Sequence, residues 1–400
     1  MSAKSRLLVV TSTFPRWPGD DEPPFVFELS RRLVRDFEVT VLAPHAPGAL
    51  TLEQFEGMEV RRFRYCFESL QLLAYEGGIL ANLKRSRWVW LLVPLFFVAQ
   101  WFALVRLMAG GRFRWVHAHW IVPQALSAVA ARVVAAGRAP AIVCTSHGGD
   151  LYGLRGRFAG ALKRMVMRRV DRMTVVSAAM REDAATMCGR SDLAVLSMGV
   201  DCRTRFFPDA SVRRADGELL FVGRLVEKKG VAVLLDALPA ILQACPTVRL
   251  TLVGRGPDEA ALRQRAAKLG IAANVDFVGP IANARLPEFY RRATLFVAPS
   301  VIARDGDQEG LGLVYAEALA CECPVVASDL AAIRDVVADG VSGRTARAGD
   351  SVDLSACVIE LLGDPEQRAR LARAGRAAVC ETFDWDAVAR RYAALFHALP

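Results

Sequence analysis

Short apolar runs alternate with stretches of helical periodicity along almost the whole chain, and this alternation restricts the fold more than any other feature. RLLVV (Arg6–Val10), EVTVLAP (Glu38–Pro44), EVRRFRY (Glu59–Tyr65), WVHAHW (Trp115–Trp120), AIVCTS (Ala141–Ser146), RMTVVS (Arg172–Ser177) and LAVLSMG (Leu193–Gly199) read as strands. Several are near-continuous in Val, Ile and Leu rather than alternating, as expected of strands covered on both faces. Between them, FVFELSRRLVRD and PQALSAVAARVVAA carry apolar residues at intervals of three and four. Repetition of strand, helix, strand builds a mostly parallel, doubly wound sheet.

The rhythm lapses over the polar, proline-containing DCRTRFFPDASVRRADGE and then restarts: LLFVGR, a helix over Val231–Ala244, VRLTLVG, a helix over Asp258–Leu269, VDFVG, a helix over Ala284–Ala293, and LFVAPS. Four hundred residues exceed what one core usually organises. The fold class expected is α/β, with two Rossmann-like doubly wound domains facing a central cleft. The expected boundaries are a first domain over 1–200, a linker over 201–217, a second domain over 218–382, and a closing helix over 383–400 that packs back on the first domain. Ligands in such sheets bind beyond the strand C-termini, which makes the cleft the expected site.

Bulk composition, 53% apolar and 23% charged, fits a globular protein with large buried sheets. Met1–Arg205 carry 28 basic against 17 acidic side chains, net +11, and the remainder 23 against 25, net −2. A basic excess confined to one half points to an anionic partner there: a membrane surface, nucleic acid or a phosphorylated substrate. Nine cysteines without paired spacing read as reduced core residues of a cytoplasmic protein, and the apolar run LLVV near the N-terminus is too short for an export signal. Trp88–Val105, WVWLLVPLFFVAQWFALV, is eighteen residues without charge, flanked by Lys84, Arg85, Arg87, Arg106, Arg112 and Arg114. Spanning a bilayer would split one sheet across it. The segment around it, 84–114, is expected to lie in the headgroup region of a membrane, with burial against the sheet as the alternative.

The chemistry concentrates in VAPSVIARDGDQEGLGLVYAEALACECPVVASD, Val297–Asp329. Glu309 and Glu317 are eight residues apart around an expected helix, Leu311–Ala320, about 12 Å along its axis and about 80° around it. Gly310 and Gly312 allow a ligand close to the backbone. Glu309 reads as a ligand contact or as a charge complementing the helix N-terminus. Glu317 lies among apolar neighbours and needs a partner, either ligand hydroxyls or an arginine. In FVGRLVEKKG, Arg224 and Lys229 stand at a strand end and a helix start, where a planar fork and a point charge suit a diphosphate; solvated surface charge is the bland reading. VGRGP lacks a complete glycine-rich phosphate loop, so Gly254 and Gly256 read as turn formers. Gly19, between the first strand and helix, occupies the place where backbone N–H groups meet phosphate, although a plain turn explains it too. His147, after a strand and before Gly148-Gly149-Asp150, is placed for acid or base work or for capping. His117 and His119 share one face of their strand; tryptophan neighbours favour core or ligand-lining positions over a metal pair.

These motifs in this order, Glu-x7-Glu, VGR…EKKG, VGRGP…FVGP…EFYRRA…FVAPS and the HGGD loop, resemble retaining glycosyltransferases of the family 4 type with the GT-B fold. The resemblance implies that Glu309 binds donor-sugar hydroxyls, Glu317 the nucleotide ribose, and Arg224 and Lys229 the diphosphate, assisted by backbone N–H groups near Gly312 and Leu313. It implies that Val278–Ile281, with Gly279, lie beside the base, and that His147 lies near the reacting sugar. His119, Trp120 and Asp150 are the candidates for the acceptor side. The implied reaction moves a sugar, with retention, from a nucleotide diphosphate sugar to a lipid-linked or saccharide acceptor at the inner membrane face. No other cofactor, no metal and no nucleic acid are expected. A nucleotide-sugar epimerase of the same fold and a non-catalytic nucleotide-binding module are the competing readings; an aromatic-basic RNA signature is absent from the sequence.

Overall fold

The structure is a computed structural model and describes residues 4–20, 22–134, 139–154 and 156–399. The chain divides into two compact units. The first comprises Met1–Val176, Met180–Met198 and Val388–Pro400, the second Ser177–Ala179 and Gly199–Ala387.

The first unit holds an eight-stranded sheet. Its strands are β1 (Arg6–Val10), β2 (Glu38–Pro44), β3 (Leu52–Phe55), β4 (Met58–Phe63), β5 (Trp115–His119), β6 (Ala141–Ser146), β7 (Arg172–Val175) and β8 (Ala194–Val195), in the order β3-β4-β2-β1-β5-β6-β7-β8. All neighbours are parallel except β3 and β4, a hairpin turned by Glu56 and Gly57, both at positive φ. Paired positive φ values over two residues match the twist of the flanking strands. The chain builds outward from β1 through β2, then returns to β5 on the other side, so the connections diverge between β1 and β5. Helix Trp385–His397 closes the unit: Phe396 packs 5.7 Å from Phe37 and 6.1 Å from Trp115, centroid to centroid. The Tyr392 hydroxyl of the same helix donates to the Leu196 carbonyl at 3.1 Å.

The apolar segment forms a short 3-10 turn, Arg87–Leu91, and a helix, Leu92–Met108. Leu92, Phe96, Gln100, Leu104 and Met108, four residues apart, are buried, with Phe96 against Phe63 and Tyr65. The opposite face is both apolar and exposed, with Leu91 at 74%, Val98 at 62% and Phe102 at 54%. By length and composition Arg87–Met108 could cross a membrane, yet one face is committed to the domain that β4 and β5 share.

The second unit holds a parallel six-stranded sheet: β9 (Glu218–Val222), β10 (Arg249–Val253), β11 (Val275–Gly279), β12 (Leu295–Ala298), β13 (Val325–Ser328) and β14 (Arg344–Ala346), ordered β11-β10-β9-β12-β13-β14. Here the connections diverge between β9 and β12. Residues 201–217 have no regular structure but belong to this unit, and two arginines lace them to it. Arg214 donates to the carbonyls of Ala293 and Glu322, and Arg291 to those of Phe207 and Arg205.

Candidate active site

In the second unit, β9 leads through Gly223, exposed Arg224 and a 3-10 turn, Glu227–Lys229, into helix Val231–Ala244. β12 leads into the loop 299–312. These are the two loops that leave the point where the connections diverge, the usual ligand position of an open parallel sheet. They touch at Gly230, where φ is +69° and a Cβ would lie 1.7 Å from the Pro299 carbonyl oxygen, so only glycine fits. Across this contact Lys229 Nζ meets Glu309 Oε2 at 2.5 Å, and Lys228 Nζ meets Asp307 Oδ1 at 3.1 Å. The Lys229 and Glu309 side chains are only 14% and 13% exposed. Burial pushes the Glu309 carboxyl up, but the charges of Lys229, Lys228 and Arg224 outweigh burial and hold it below the ordinary carboxylate value. Glu309 and Lys229 are therefore already paired, and Lys228 with Asp307 ties the same two loops.

The helix begins later than its sequence suggests. It spans Leu313–Ala320 with Gly312 as N-cap, which places Glu309 in the preceding loop. The expected axial offset of the two glutamates therefore does not apply, and neither does a helix-start role for Glu309. The boundary is set by Tyr315, whose hydroxyl donates to the Ala298 carbonyl at 2.7 Å and whose ring lies where a Cβ on Gly312 would fall, 2.5 Å away. Gly312, at φ +80°, thus lets the chain turn over this ring and brings the Glu309 side chain alongside. Buried Gly310 and half-buried Leu313 bracket the same turn. Glu317 accepts a hydrogen bond from the buried Tyr290 hydroxyl at 3.0 Å, so its partner is a phenol rather than an arginine. Burial raises its carboxyl to about 7.

Gly254 and Gly256 serve chain packing, since a Cβ on either would fall about 2 Å from the carbonyl oxygen of Gly223 or Leu225 respectively. Gly279 ends β11 at φ +83°, and its carbonyl accepts from Gly254 N–H at 2.9 Å.

In the first unit, His147 follows β6 and sits among Phe25, Trp120 and His119, with ring centroids 5.0 to 5.2 Å away. Burial lowers it to about 3 and lowers His119 well below the ordinary histidine range, so both rings are neutral at physiological pH. Acid–base work near pH 7, one expectation for His147, does not suit this environment. Two acceptor-side candidates also prove to be internal. His119 is wholly buried, because every residue of β5 is covered. Asp150 is buried, and its carboxylate accepts from Ile121 N–H at 2.7 Å, Ser146 Oγ at 2.8 Å and His147 N–H at 3.2 Å, bracing the loops after β5 and β6. Trp120, half-buried at φ +77°, keeps an accessible edge. Gly19 lies in an exposed turn, Trp17–Asp20, closed by the Arg16–Asp20 ion pair, whereas the helix begins only at Phe25. Its N–H is therefore not at a helix N-terminus. Among the described residues no group of three or more His, Cys, Asp or Glu side chains is arranged to ligate a metal ion.

Known sequences and structures agree with this architecture. Residues 24–204 match the family described as Glycosyltransferase Family 4, and residues 204–378 match Glycosyl transferases group 1. The chain is also 30% identical to a GDP-mannose-dependent alpha-(1-6)-phosphatidylinositol monomannoside mannosyltransferase of Mycolicibacterium smegmatis, over 97% of each sequence. The chain belongs to glycosyltransferase family 4. A phosphatidyl-myo-inositol mannosyltransferase of Mycobacterium leprae is 34% identical over 71% of this family 4 chain and 73% of its own. Sucrose-phosphate synthase from Thermosynechococcus elongatus superposes with a TM-score of 0.77 at 20% identity, covering 99% of both chains. The protein is thus a glycosyltransferase that draws on a nucleotide sugar, built as two parallel-sheet units of the GT-B class. Membership sets aside the epimerase and non-catalytic readings.

The sequence did not reveal Tyr290, Tyr315 and the Lys228–Asp307 pair as parts of this site. The adjacent lysines of EKKG were the available signal for the pair; nothing in the sequence singled out the tyrosines.

Proposed function

We propose that this glycosyltransferase moves a hexose from a nucleoside diphosphate sugar to a lipid-linked acceptor with retention of anomeric configuration and without a metal, working on the inner face of a membrane. The observation that carries the donor half of this reading is the Lys229–Glu309 pair at the divergence of the β9 and β12 loops. Lys229, joined by exposed Arg224, carries the positive charge that builds no new bond but stabilises the departing diphosphate. Glu309 accepts from sugar hydroxyls, Glu317 from the ribose, and the N–H groups at Gly312 and Leu313 assist the phosphates. Gly279 and its neighbours flank the base. His147 lies beside the sugar. The GDP-mannose dependence of the Mycolicibacterium smegmatis relative makes GDP-mannose the first donor to test.

The test is a panel of GDP, UDP and ADP sugars with a phosphoinositol lipid acceptor, reading nucleotide release and product anomer. Transfer from one donor with its configuration kept supports the reading; inversion, or release without a glycosylated product, overturns it.

The membrane half rests on the exposed face of Arg87–Met108. Trp88, Trp90, Leu91, Leu95, Val98 and Phe102 are exposed there, and Lys84, Arg85, Arg87, Arg106 and Arg112 are exposed around them. Apolar and aromatic side chains ringed by cations suit an anionic lipid surface. Replacing Leu95 and Phe102 together with aspartate is expected to lower binding to vesicles containing anionic phospholipid by about tenfold or more, since each removes an apolar side chain worth roughly 1.5–3 kcal/mol when buried and adds a charge the anionic surface repels. Unchanged cosedimentation with vesicles would remove the membrane half and leave the donor half standing.

A further inference from the structure

His119 Nδ1 and His147 Nε2 are 3.0 Å apart, and the two rings are nearly coplanar, 15° between planes. One proton must lie between them. His119 is wholly buried and its other nitrogen, Nε2, has no hydrogen-bond partner. Two tautomeric arrangements are possible. If His147 donated, His119 would bury an orphaned N–H; if His119 donates, it buries only a bare lone pair. Buried N–H groups without partners are the rarer of the two in folded proteins. His117 follows the same rule independently: its Nε2 lies 2.7 Å from Thr145 Oγ1 and its Nδ1 has no partner, so its proton belongs on Nε2.

We infer that His119 is a positioning residue that donates from Nδ1 to His147 Nε2, so that His147 is held as the Nδ1–H tautomer and offers a hydrogen-bond donor, not a lone pair, to an oxygen of the bound sugar. The loops reinforce the arrangement. The Asp150 carboxylate holds the His147 backbone, and the Gln124 amide, assigned the orientation that satisfies both its ends, turns its nitrogen toward the His119 carbonyl at 3.1 Å and its oxygen toward Ser12 N–H at 3.1 Å, which ties the end of β5 to the chain leaving β1. Burial keeps both rings neutral, so the donor is present across the physiological range. The identity of the oxygen as a sugar's rests on the proposed function; the tautomer does not.

The experiment is nitrogen NMR of the full chain labelled with 15N-histidine. There are five histidines, and His147 is assigned by the loss of its signals in His147→Gln. The expected result is a His147 ring protonated at Nδ1. Protonation at Nε2 in the unsubstituted protein overturns the inference while leaving glycosyl transfer untouched. His119→Asn keeps an amide donor near the Nδ1 position and is expected to retain the His147 tautomer and most of the transfer rate. His119→Phe is expected to release the tautomer and to lower kcat/KM for the sugar donor by about tenfold, the worth of one hydrogen bond. Equal losses in both variants, with the tautomer unchanged, would overturn the positioning role. Absence of transfer from any nucleotide sugar in the unsubstituted protein would instead sink the functional proposal and leave the tautomer assignment standing.

Discussion

Lys229→Ala is expected to lower kcat/KM by on the order of a thousandfold, the range found when one preorganised electrostatic contact is removed from a reacting group. Lys229 has two separable roles, because it also partners a mostly buried carboxylate. Removing one member of such a pair leaves the other charge uncompensated and costs about 3–5 kcal/mol, so the single variant will lose stability as well as rate. The double variant Lys229→Met with Glu309→Leu distinguishes the roles. Replacing both charges by apolar groups of similar volume is close to neutral for stability, and Lys228 with Asp307 still ties the two loops. A melting temperature restored near that of the unsubstituted protein, with turnover still lost, assigns the pair to chemistry. Recovery of turnover along with stability would reduce it to a structural bridge. Glu309→Gln complements this test, since it keeps a hydrogen-bond acceptor for hydroxyls while deleting the charge that orients Lys229.

Neither this pair nor its placement could be read from composition. Lys229 and Glu309 are 80 residues apart, and what joins them is the strand order β9-β12 together with the close approach at Gly230. The alternation of apolar runs with helical segments does reveal the two parallel sheets. It even gives the helix Val231–Ala244 its observed bounds, because Gly230 precedes it in a left-handed conformation and the apolar face is continuous. Boundaries set by tertiary contact are not legible in the same way. EGLGLVYAEAL has helical periodicity from Leu311, yet the helix starts at Leu313 because the Tyr315 ring occupies the space under Gly312. The hairpin strand β3 was hidden because its turn is Glu56-Gly57, without the Asn-Gly or Asp-Gly that signals such a turn. Periodicity likewise cannot tell a ligand-facing residue from a buried one on a strand covered on both faces. That is why His119 looks like a candidate for a binding surface and turns out to be internal; Asp150, in the short helix after β6, is internal because its carboxylate turns back onto backbone N–H groups of Ile121 and His147. In the apolar helix, by contrast, the four-residue stripe from Leu92 to Met108 does separate a buried face from an exposed one once the strand it packs on is known.

Glu317→Gln is expected to stabilise the protein and weaken nucleotide binding at once, and the two effects have different pH dependences. Burial holds the Glu317 carboxyl at about 7 against an ordinary value of 4.5. Below pH 4.5 both the folded and unfolded chains keep this proton, and the group contributes nothing to the balance. Between 4.5 and 7 the unfolded chain releases it while the fold retains it, so stability declines as pH rises, and above 7 the whole penalty is present. At about 1.4 kcal/mol per unit, reduced for the partial exposure of the side chain, the penalty is on the order of 2–3 kcal/mol. The variant should therefore melt roughly 5–10 °C higher than the unsubstituted protein at pH 8 and at nearly the same temperature at pH 4. Glutamine still accepts from the Tyr290 hydroxyl, so the local hydrogen bond survives. What it loses is the charged acceptor for a ribose diol, worth about 1.5–3 kcal/mol, or roughly ten- to a hundredfold in nucleotide affinity. For the same reason affinity in the unsubstituted protein should rise as pH passes upward through about 7, where Glu317 ionises. A variant that melts higher at pH 8 yet binds the nucleotide as well as before would leave Glu317 a costly buried acid without a ribose contact. A variant with no gain in melting temperature would contradict the burial on which its raised pKa depends.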